Sequence, residues 1–169
     1  GRVERGASGK PFHLDGQGHI VKNLAVTGGP NLCGMFAIYG DDFSIKNVVF
    51  ESPSMVLYAQ SAGTAGFIAN GVASPITLEN VGIVNADFRA TSPSAYVYLG
   101  GLLGLINSNP TIKNCFVTGT LTAESLSGDV SRVGGIYGQK HSSGSPSISN
   151  CYTKITGNAG TVYGIGPSG

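Results

Sequence analysis

The sequence predicts an all-β fold, a parallel β-solenoid of about five coils that occupies residues 1–169 as a single domain. Three observations predict it. A short motif returns every 24 to 36 residues along the chain. Hydrophobic residues within each motif follow the two-residue period of a strand rather than the period of a helix. Glycine accounts for 27 of the 169 residues, which is over twice its average share of about 7%.

An asparagine marks each repeat and stands two residues after a hydrophobic one. Consecutive asparagines lie 24, 33, 34 and 36 residues apart. Asparagine tolerates a left-handed backbone and hydrogen-bonds nearby peptide groups, so it suits a corner between two strands. We therefore expect the chain to wind so that its five asparagines stack in one row: Asn23, Asn47, Asn80, Asn114 and Asn150.

Three hydrophobic positions accompany each asparagine, at −2, +1 and +3 from it. Positions +1 and +3 share the period of a strand, but position −2 is out of phase with them. A corner at the asparagine lets all three positions face the core, and position −1, which is mostly Lys or Glu, then faces solvent. The inward columns predicted in this way are Val21, Ile45, Leu78, Ile112 and Ile148; Leu24, Val48, Val81, Cys115 and Cys151; and Val26, Phe50, Ile83, Val117 and Thr153.

A glycine followed by a hydrophobic residue forms a second marker, which alternates with the asparagines. Each of the first four glycines precedes the next asparagine by 13 to 15 residues, whereas the reverse interval varies from 11 to 21 residues. One arm of the repeat is thus nearly constant, and we expect the variable arm to carry a third strand and the loops. We also expect residues 1–11 to cap the first coil, in a module of a longer protein. The glycines predicted to stack are Gly34, Gly66, Gly101, Gly135 and Gly164.

The composition argues against several functions. A net charge of +1 leaves no broad basic surface for nucleic acid, and no apolar run is long enough for a membrane span. We expect no cofactor and no metal, because neither the histidines nor the cysteines have the spacing of a zinc site. We also expect no catalytic residues. The adjacent Asp41 and Asp42 are interpreted as turn residues, with a catalytic or metal-binding role as the alternative.

Two of the three cysteines share one predicted column. Cys115 and Cys151 occupy position +1 of consecutive repeats, where the other repeats have Leu or Val. Stacking would bring their Cα atoms within the range of a disulfide, but neighbouring Cβ atoms that point side by side would strain the bond. We favour buried thiols over a disulfide.

Aromatic residues on the variable arm form a candidate ligand face. It comprises Tyr58, Tyr96 and Tyr98 together with Arg89. Exposed aromatic rings on a solenoid could stack on sugar rings or on a protein partner. The alternative interpretation is that alternate aromatic residues of this arm belong to the core.

Two segments carry a resemblance to a known repeat. Gly100-Gly101-Leu102-Leu103-Gly104 and Val133-Gly134-Gly135-Ile136-Tyr137-Gly138, each followed by Ile-x-Asn-Cys-Phe/Tyr, resemble the bacterial GLUG repeat. The segment from Phe12 to Leu24 resembles the coil that commonly starts such arrays. The resemblance implies a right-handed parallel β-helix in a secreted or cell-surface bacterial protein, adhesin-like proteins included. It brings no catalytic residues with it.

The function predicted from these features is that of a non-enzymatic module, secreted or on the cell surface. It would be adhesin-like or a structural spacer, and would present a loop face to a cell-surface protein or a glycan. One alternative is a self-assembling fibre subunit, because open strand edges recruit other chains. Another is a polysaccharide-binding or polysaccharide-cleaving β-helix, for which cleavage would require converging carboxylates.

Overall fold

The chain winds into a parallel β-solenoid in the computed structural model, which describes residues 3–4, 11–38, 42–72 and 74–167. Every strand pairing among these residues is parallel. The described part of the chain contains no helix, and hence none that could cross a membrane. The predicted all-β parallel β-helix is confirmed. The predicted cap over residues 1–11 lies outside the described residues, except for Val3, Glu4 and Pro11.

Three sheets form the faces of the solenoid. The long sheet contains β2 (Phe12–Lys22), β3 (Ala25–Thr27), β6 (Phe43–Glu51), β7 (Ser54–Tyr58), β10 (Ile76–Ser92), β13 (Thr111–Lys113), β14 (Phe116–Ser125), β17 (Ser147–Ser149) and β18 (Tyr152–Asn158). The second sheet contains β4 (Leu32–Cys33), β8 (Gly63–Gly66), β11 (Val97–Gly100), β15 (Ser131–Gly134) and β19 (Thr161–Tyr163). The third sheet contains β1 (Val3–Glu4), β5 (Phe36–Ile38), β9 (Ala69–Val72), β12 (Leu103–Ile106) and β16 (Tyr137–Lys140).

The chain visits the three sheets in a repeating order: long sheet, second sheet, third sheet. Five strands stack in each of the two shorter sheets, so the chain completes about four full turns between its first and last passage. Neighbouring strands of a sheet lie about 4.8 Å apart. The described solenoid is therefore short, with every coil in contact with only one or two others.

The asparagine corner places three hydrophobic columns in one core. Asn47, Asn80, Asn114 and Asn150 have φ angles of 54°, 54°, 53° and 52°, and this left-handed backbone reverses the alternation of the strand. The residues two before and one after each asparagine can then both point inward, although they are three positions apart. In the three middle coils these columns are between 0% and 4% exposed: Ile45, Leu78 and Ile112; Val48, Val81 and Cys115; Phe50, Ile83 and Val117.

The prediction for the first coil is wrong, and Asn23 does not belong to the asparagine row. The pairing of β2 with β6 aligns Leu14, not Val21, with Ile45, and it aligns Val21 with Phe50. The side chain that enters the row is that of Asp15. A three-residue bulge, residues 16–18, lies opposite Asn47 and absorbs the turn, with φ of 50° at Gln17 and 80° at Gly18.

Asn23 instead belongs to a second corner, which divides β2 from β3. Its amide nitrogen donates to the carbonyl of Glu51, as that of Ser52 donates to Val84, so the register continues to Asn85. All three corner residues have positive φ, 56° at Asn23, 52° at Ser52 and 56° at Asn85. Both corners need a residue that accepts a left-handed backbone, and the motif around Asn23 therefore resembles the other corner in sequence.

The five marker glycines form two neighbouring rows rather than one. Gly34 and Gly66 align with Gly100 and Gly134. Gly101, Gly135 and Gly164 stand one residue further along, and the second coil has Phe67 at that place. Predicting Gly34 and Gly66 in the row of Gly101 was therefore wrong by one residue. Phe67 can replace a glycine there because its ring enters the core, with ring centroids 5.1 Å from Phe50 and 5.2 Å from Phe88.

The row that contains Gly100 and Gly134 lies where the chain passes from the second sheet to the third. A Cβ atom added to Gly100 would overlap the carbonyl oxygen of Leu103, and one added to Gly134 would overlap that of Tyr137. These positions must be glycine because backbone, not side chain, fills the corner between these sheets, whereas in the last coil Tyr163 is aligned with Gly134.

Candidate functional site

The predicted ligand face is divided between two sheets. Tyr58 and Arg89 lie on the outer surface of the long sheet, on β7 and β10. The Arg89 guanidinium contacts the carboxylate of Asp87 on the same strand, with 3.1 Å from Nε to Oδ1. Tyr98 lies on β11 of the second sheet, and Tyr96 immediately precedes that strand. The structure therefore brings together Tyr96 and Tyr98, and it places Tyr58 and Arg89 elsewhere.

An aromatic pair and a cation meet on the outside of the second sheet. The rings of Tyr96 and Tyr98 stack with centroids 4.6 Å apart and planes inclined by 21°. The guanidinium carbon of Arg132 lies 5.5 Å from the centroid of the Tyr98 ring. Nη1 of Arg132 donates to Oε1 of Gln139 at 2.7 Å. We call these four residues, Tyr96, Tyr98, Arg132 and Gln139, the tyrosine–arginine patch.

The strand pattern of β11 produces this patch. Val97 and Leu99 face the core and are fully buried, so the alternating residues Tyr96 and Tyr98 must face outward. The backbone around Tyr96 is hydrogen-bonded on both sides. Its carbonyl accepts from the amide of Gly63, and the next amide, of Val97, donates to the carbonyl of Val130, both at 2.9 Å. The aromatic pair is therefore carried on a fixed backbone.

Register brings Arg132 to Tyr98. The two residues are directly aligned in the pairing of β11 with β15, so their side chains project from adjacent strands about 4.8 Å apart. The sequence prediction missed Arg132 and Gln139. A signal for Arg132 was present, because Arg132 and Tyr98 each stand two residues before the first glycine of their repeats.

The polar groups of the patch suit the binding of a hydroxyl-rich ligand. Partial burial raises the pKa of the Tyr98 phenol, against the opposing effect of the nearby Arg132 charge, so the hydroxyl stays protonated at neutral pH. Neither phenol oxygen of the pair is hydrogen-bonded within the described part of the chain. The patch thus offers two hydroxyls and a guanidinium beside an exposed ring, together with the amide of Gln139, whose Nε2 also donates to the carbonyl of Lys140 at 3.1 Å.

A second exposed feature is a row of hydrogen-bonded side chains along the asparagine corner. Nδ2 of each asparagine donates to the side-chain oxygen of the preceding coil. The distances are 3.2 Å from Asn150 to Asn114, 3.0 Å from Asn114 to Asn80 and 2.8 Å from Asn80 to Asn47. The row ends at Asp15, whose Oδ1 accepts from Nδ2 of Asn47 at 3.0 Å. We call these five residues the amide row.

Charged side chains flank the amide row. Oδ1 of Asp15 also accepts the backbone N–H of Gln17 at 2.9 Å. This bond, then the bond from Asn47, lower the pKa of the Asp15 carboxyl. The carboxylate of Glu79 lies between two ammonium groups, 3.2 Å from Nζ of Lys46 and 3.6 Å from Nζ of Lys113. The hydrogen bond and the charge of Lys46 lower the pKa of Glu79.

The remaining sequence candidates are placed as follows. Asp41 lies outside the described residues, and Asp42 adopts a left-handed turn with φ of 63°. Oδ1 of Asp42 lies 3.4 Å from Nε2 of His13. Among the residues that the structure describes, no three His, Cys, Asp or Glu side chains converge as a metal site would require.

The two stacked cysteines remain thiols. Sγ of Cys115 donates to the carbonyl of Lys113 at 3.3 Å, and Sγ of Cys151 donates to that of Ser149 at 3.3 Å. Burial raises the pKa of the Cys115 thiol to about 12. Each thiol also lies 3.6 Å from a carbonyl oxygen of the preceding coil, that of Leu78 for Cys115 and that of Ile112 for Cys151.

The fold and the patch together define a parallel β-solenoid with an aromatic and cationic surface at one corner. Comparisons with protein-family models, with curated proteins and with solved structures gave no match to this chain.

Proposed function

We propose that the chain is a non-enzymatic module of a secreted or cell-surface protein that binds a glycan through the tyrosine–arginine patch. The proposal includes an adhesin-like role and a right-handed β-helix of the GLUG type, in keeping with the repeat around Gly100 and Gly134. The observation that carries it is the stacked pair of Tyr96 and Tyr98 beside Arg132.

The chemistry of the patch matches that of a sugar. The C–H face of a pyranose packs on an exposed aromatic ring, and Tyr96 is 38% exposed. The hydroxyls of the sugar then find donors and acceptors in Arg132, Gln139 and the two phenols. A small number of placed polar groups beside an apolar surface is the usual composition of a ligand site.

Neither of the two described carboxyls with a shifted pKa has the raised value of a general acid. A glycosidase needs a carboxylic acid whose pKa is raised so that it can donate a proton. Among the described carboxyls whose pKa shifts, Asp15 and Glu79, both shift downward because hydrogen bonds stabilise the charged form. Neither belongs to the tyrosine–arginine patch.

A glycan screen with three variants tests the proposal. The wild-type chain is applied to an array of neutral and acidic glycans, and the strongest binder is titrated by calorimetry. Tyr96→Ala removes a stacking contact of about 0.5–1.5 kcal/mol, so the Kd should rise roughly 2- to 10-fold. Arg132→Gln should weaken the same glycan, because the guanidinium donors are lost.

The matched control is Tyr58→Ala, which removes a more exposed tyrosine from the long sheet and should leave the Kd unchanged. Equal losses in Tyr96→Ala and Tyr58→Ala would contradict the proposal, as would a wild-type chain that binds no glycan. Release of reducing ends during the titration would instead favour polysaccharide cleavage. Tyr58→Ala should melt like the wild type, and circular dichroism should show that Tyr96→Ala and Arg132→Gln, which each lose a contact within the patch, remain folded.

A further inference from the structure

Arg132 is a cation that no carboxylate of the described residues neutralises. Other exposed cations are paired on the surface of the solenoid: Lys22 with Glu51 at 3.2 Å, and Arg89 with Asp87 at 3.1 Å. No Asp or Glu in the described part of the chain lies within ion-pair distance of Arg132. A guanidinium keeps its charge at neutral pH, so this charge is available to a ligand.

The guanidinium of Arg132 is held in place with one edge open. Its carbon lies 5.5 Å from the centroid of the Tyr98 ring, and Nη1 donates to Oε1 of Gln139 at 2.7 Å. Nε2 of Gln139 donates in turn to the carbonyl of Lys140 at 3.1 Å, which fixes the amide. Nε and Nη2 of Arg132 donate to no group among the described residues. Two N–H groups side by side on one edge match the two oxygens of a carboxylate.

The charges around the patch favour an anion. Asp129 is the opposing charge that acts on Tyr98, and its Oδ1 accepts the N–H of Val130 at 2.9 Å. Partial burial is the main cause that raises the pKa of the Tyr98 phenol. Of the two charges, Arg132, which lowers this pKa, acts more strongly than Asp129, which raises it. At Tyr98 the positive charge therefore outweighs the negative one.

We infer that the tyrosine–arginine patch selects a sugar that carries a carboxylate, a uronic acid, over the corresponding neutral sugar. The inference rests on the proposed glycan-binding function and names the ligand class of that site. The pyranose would pack on the ring of Tyr96, and its carboxylate would accept two N–H groups of Arg132. Such a paired contact adds geometric specificity to the attraction between charges, and a neutral sugar cannot make it.

Matched pairs of oligosaccharides test this selectivity. Trimers of glucuronic, galacturonic and mannuronic acid are each compared with their methyl esters, which keep the sugar and lose the charge. For the acid that binds best, the Kd measured by calorimetry should be roughly 2- to 5-fold lower than that of its ester, as expected for an exposed ion pair. The difference should shrink as the salt concentration is raised.

Variants separate the charge from the stacking contact. Arg132→Gln should bring the Kd values of acid and ester together, and Arg132→Lys, which keeps the charge but loses the fork, should retain part of the difference. Gln139→Glu keeps an acceptor for Nη1 but neutralises the guanidinium, so it should also abolish the preference. Tyr96→Ala should weaken acid and ester alike and leave their ratio unchanged. Arg89→Gln, on the long sheet, is the matched control and should change neither Kd.

Equal Kd values of acid and ester in all three pairs would overturn the inference, as would a preference that persists in Arg132→Gln. If neutral glycans still bind and depend on Tyr96, the proposed function stands without the inference. A chain that binds no acid, ester or neutral glycan contradicts both. Binding of poly-glutamate as tight as that of the uronate would assign the open edge of Arg132 to an acidic peptide, and would overturn the choice of a sugar.

Discussion

Removing one side chain from the middle of the amide row should destabilise the solenoid by a measurable amount. Asn80 donates to Asn47 at 2.8 Å and accepts from Asn114 at 3.0 Å. Asn80→Gly deletes both bonds but keeps a residue that accepts the φ of 54°. Each bond contributes about 0.5–1.5 kcal/mol net, so the free energy of unfolding should fall by about 1–3 kcal/mol.

The chain provides a matched control on the same strand. Asn85 is also exposed and has a φ of 56°, but its side chain makes no hydrogen bond within the described residues. Asn85→Gly therefore carries the same gain in backbone freedom of the unfolded chain as Asn80→Gly. The difference between the two variants isolates the side-chain bonds of the row.

Thermal and urea unfolding, followed by circular dichroism, measure this difference. A loss of 1–3 kcal/mol corresponds to a melting temperature lower by roughly 2–12 °C in a chain of this size. Asn80→Asp adds a third comparison, because a carboxylate keeps the acceptor for Asn114 but faces Asn47 with a second acceptor. It should cost at least as much as Asn80→Gly at neutral pH. Equal stabilities of Asn80→Gly and Asn85→Gly would refute the argument that the row stabilises the fold.

Three further predictions concern the core, the glycine corner and the thiols. Val81→Asp places a charge at a fully buried position and should abolish cooperative melting, whereas Val81→Ala should melt cooperatively at a lower temperature. Unchanged melting of Val81→Asp would contradict the strand register that places Val81 in the core. Gly100→Ala should prevent folding, because the added Cβ atom would overlap the backbone. Gly71→Ala should be tolerated, because the nearest atom to its Cβ would be 3.9 Å away. Circular dichroism distinguishes the folded variant from the unfolded one. Cys115, with its pKa raised to about 12, should be alkylated at pH 8 far more slowly than the half-buried Cys151, because only about one molecule in ten thousand holds the thiolate. Mass spectrometry of digests measures the two rates, and faster alkylation of Cys115 would contradict the prediction.

Local chemistry made the asparagine corner predictable, but not the register of the first coil. Only a few residue types accept a left-handed backbone, and the hydrophobic phase changes at the same place in the later four repeats. In the first coil the same four-residue pattern surrounds Asn23, which turns a different corner. The choice between the two corners depends on which strand edge β2 pairs with, and the bulge at residues 16–18 shifts that pairing. A short motif does not determine which distant strands pair, or in which register.

The ligand face was also predictable only in part. Alternation with Val97 and Leu99 suffices to place Tyr96 and Tyr98 outside. Grouping Tyr58 with them was wrong, because Val56-Leu57-Tyr58 belongs to β7 of the long sheet, while the counterpart of β11 is the glycine-containing strand β8. Both segments precede a marker glycine, and the length of the intervening turn decides which one joins the second sheet.

Different positions within a coil are restricted to different degrees, and this explains why the repeat specifies the architecture but not the function. The inward columns, the corner residues and the glycine row are each restricted by burial, backbone angle or backbone contact. The outward position two residues before the one that Gly100 occupies is not held to one residue type, and along the second sheet it reads Leu32, Thr64, Tyr98, Arg132 and Thr161. Such a position can change its chemistry from coil to coil without cost to the fold. A binding surface on this solenoid should therefore be sought in the rows that vary, and Tyr98 and Arg132 are neighbours in one of them.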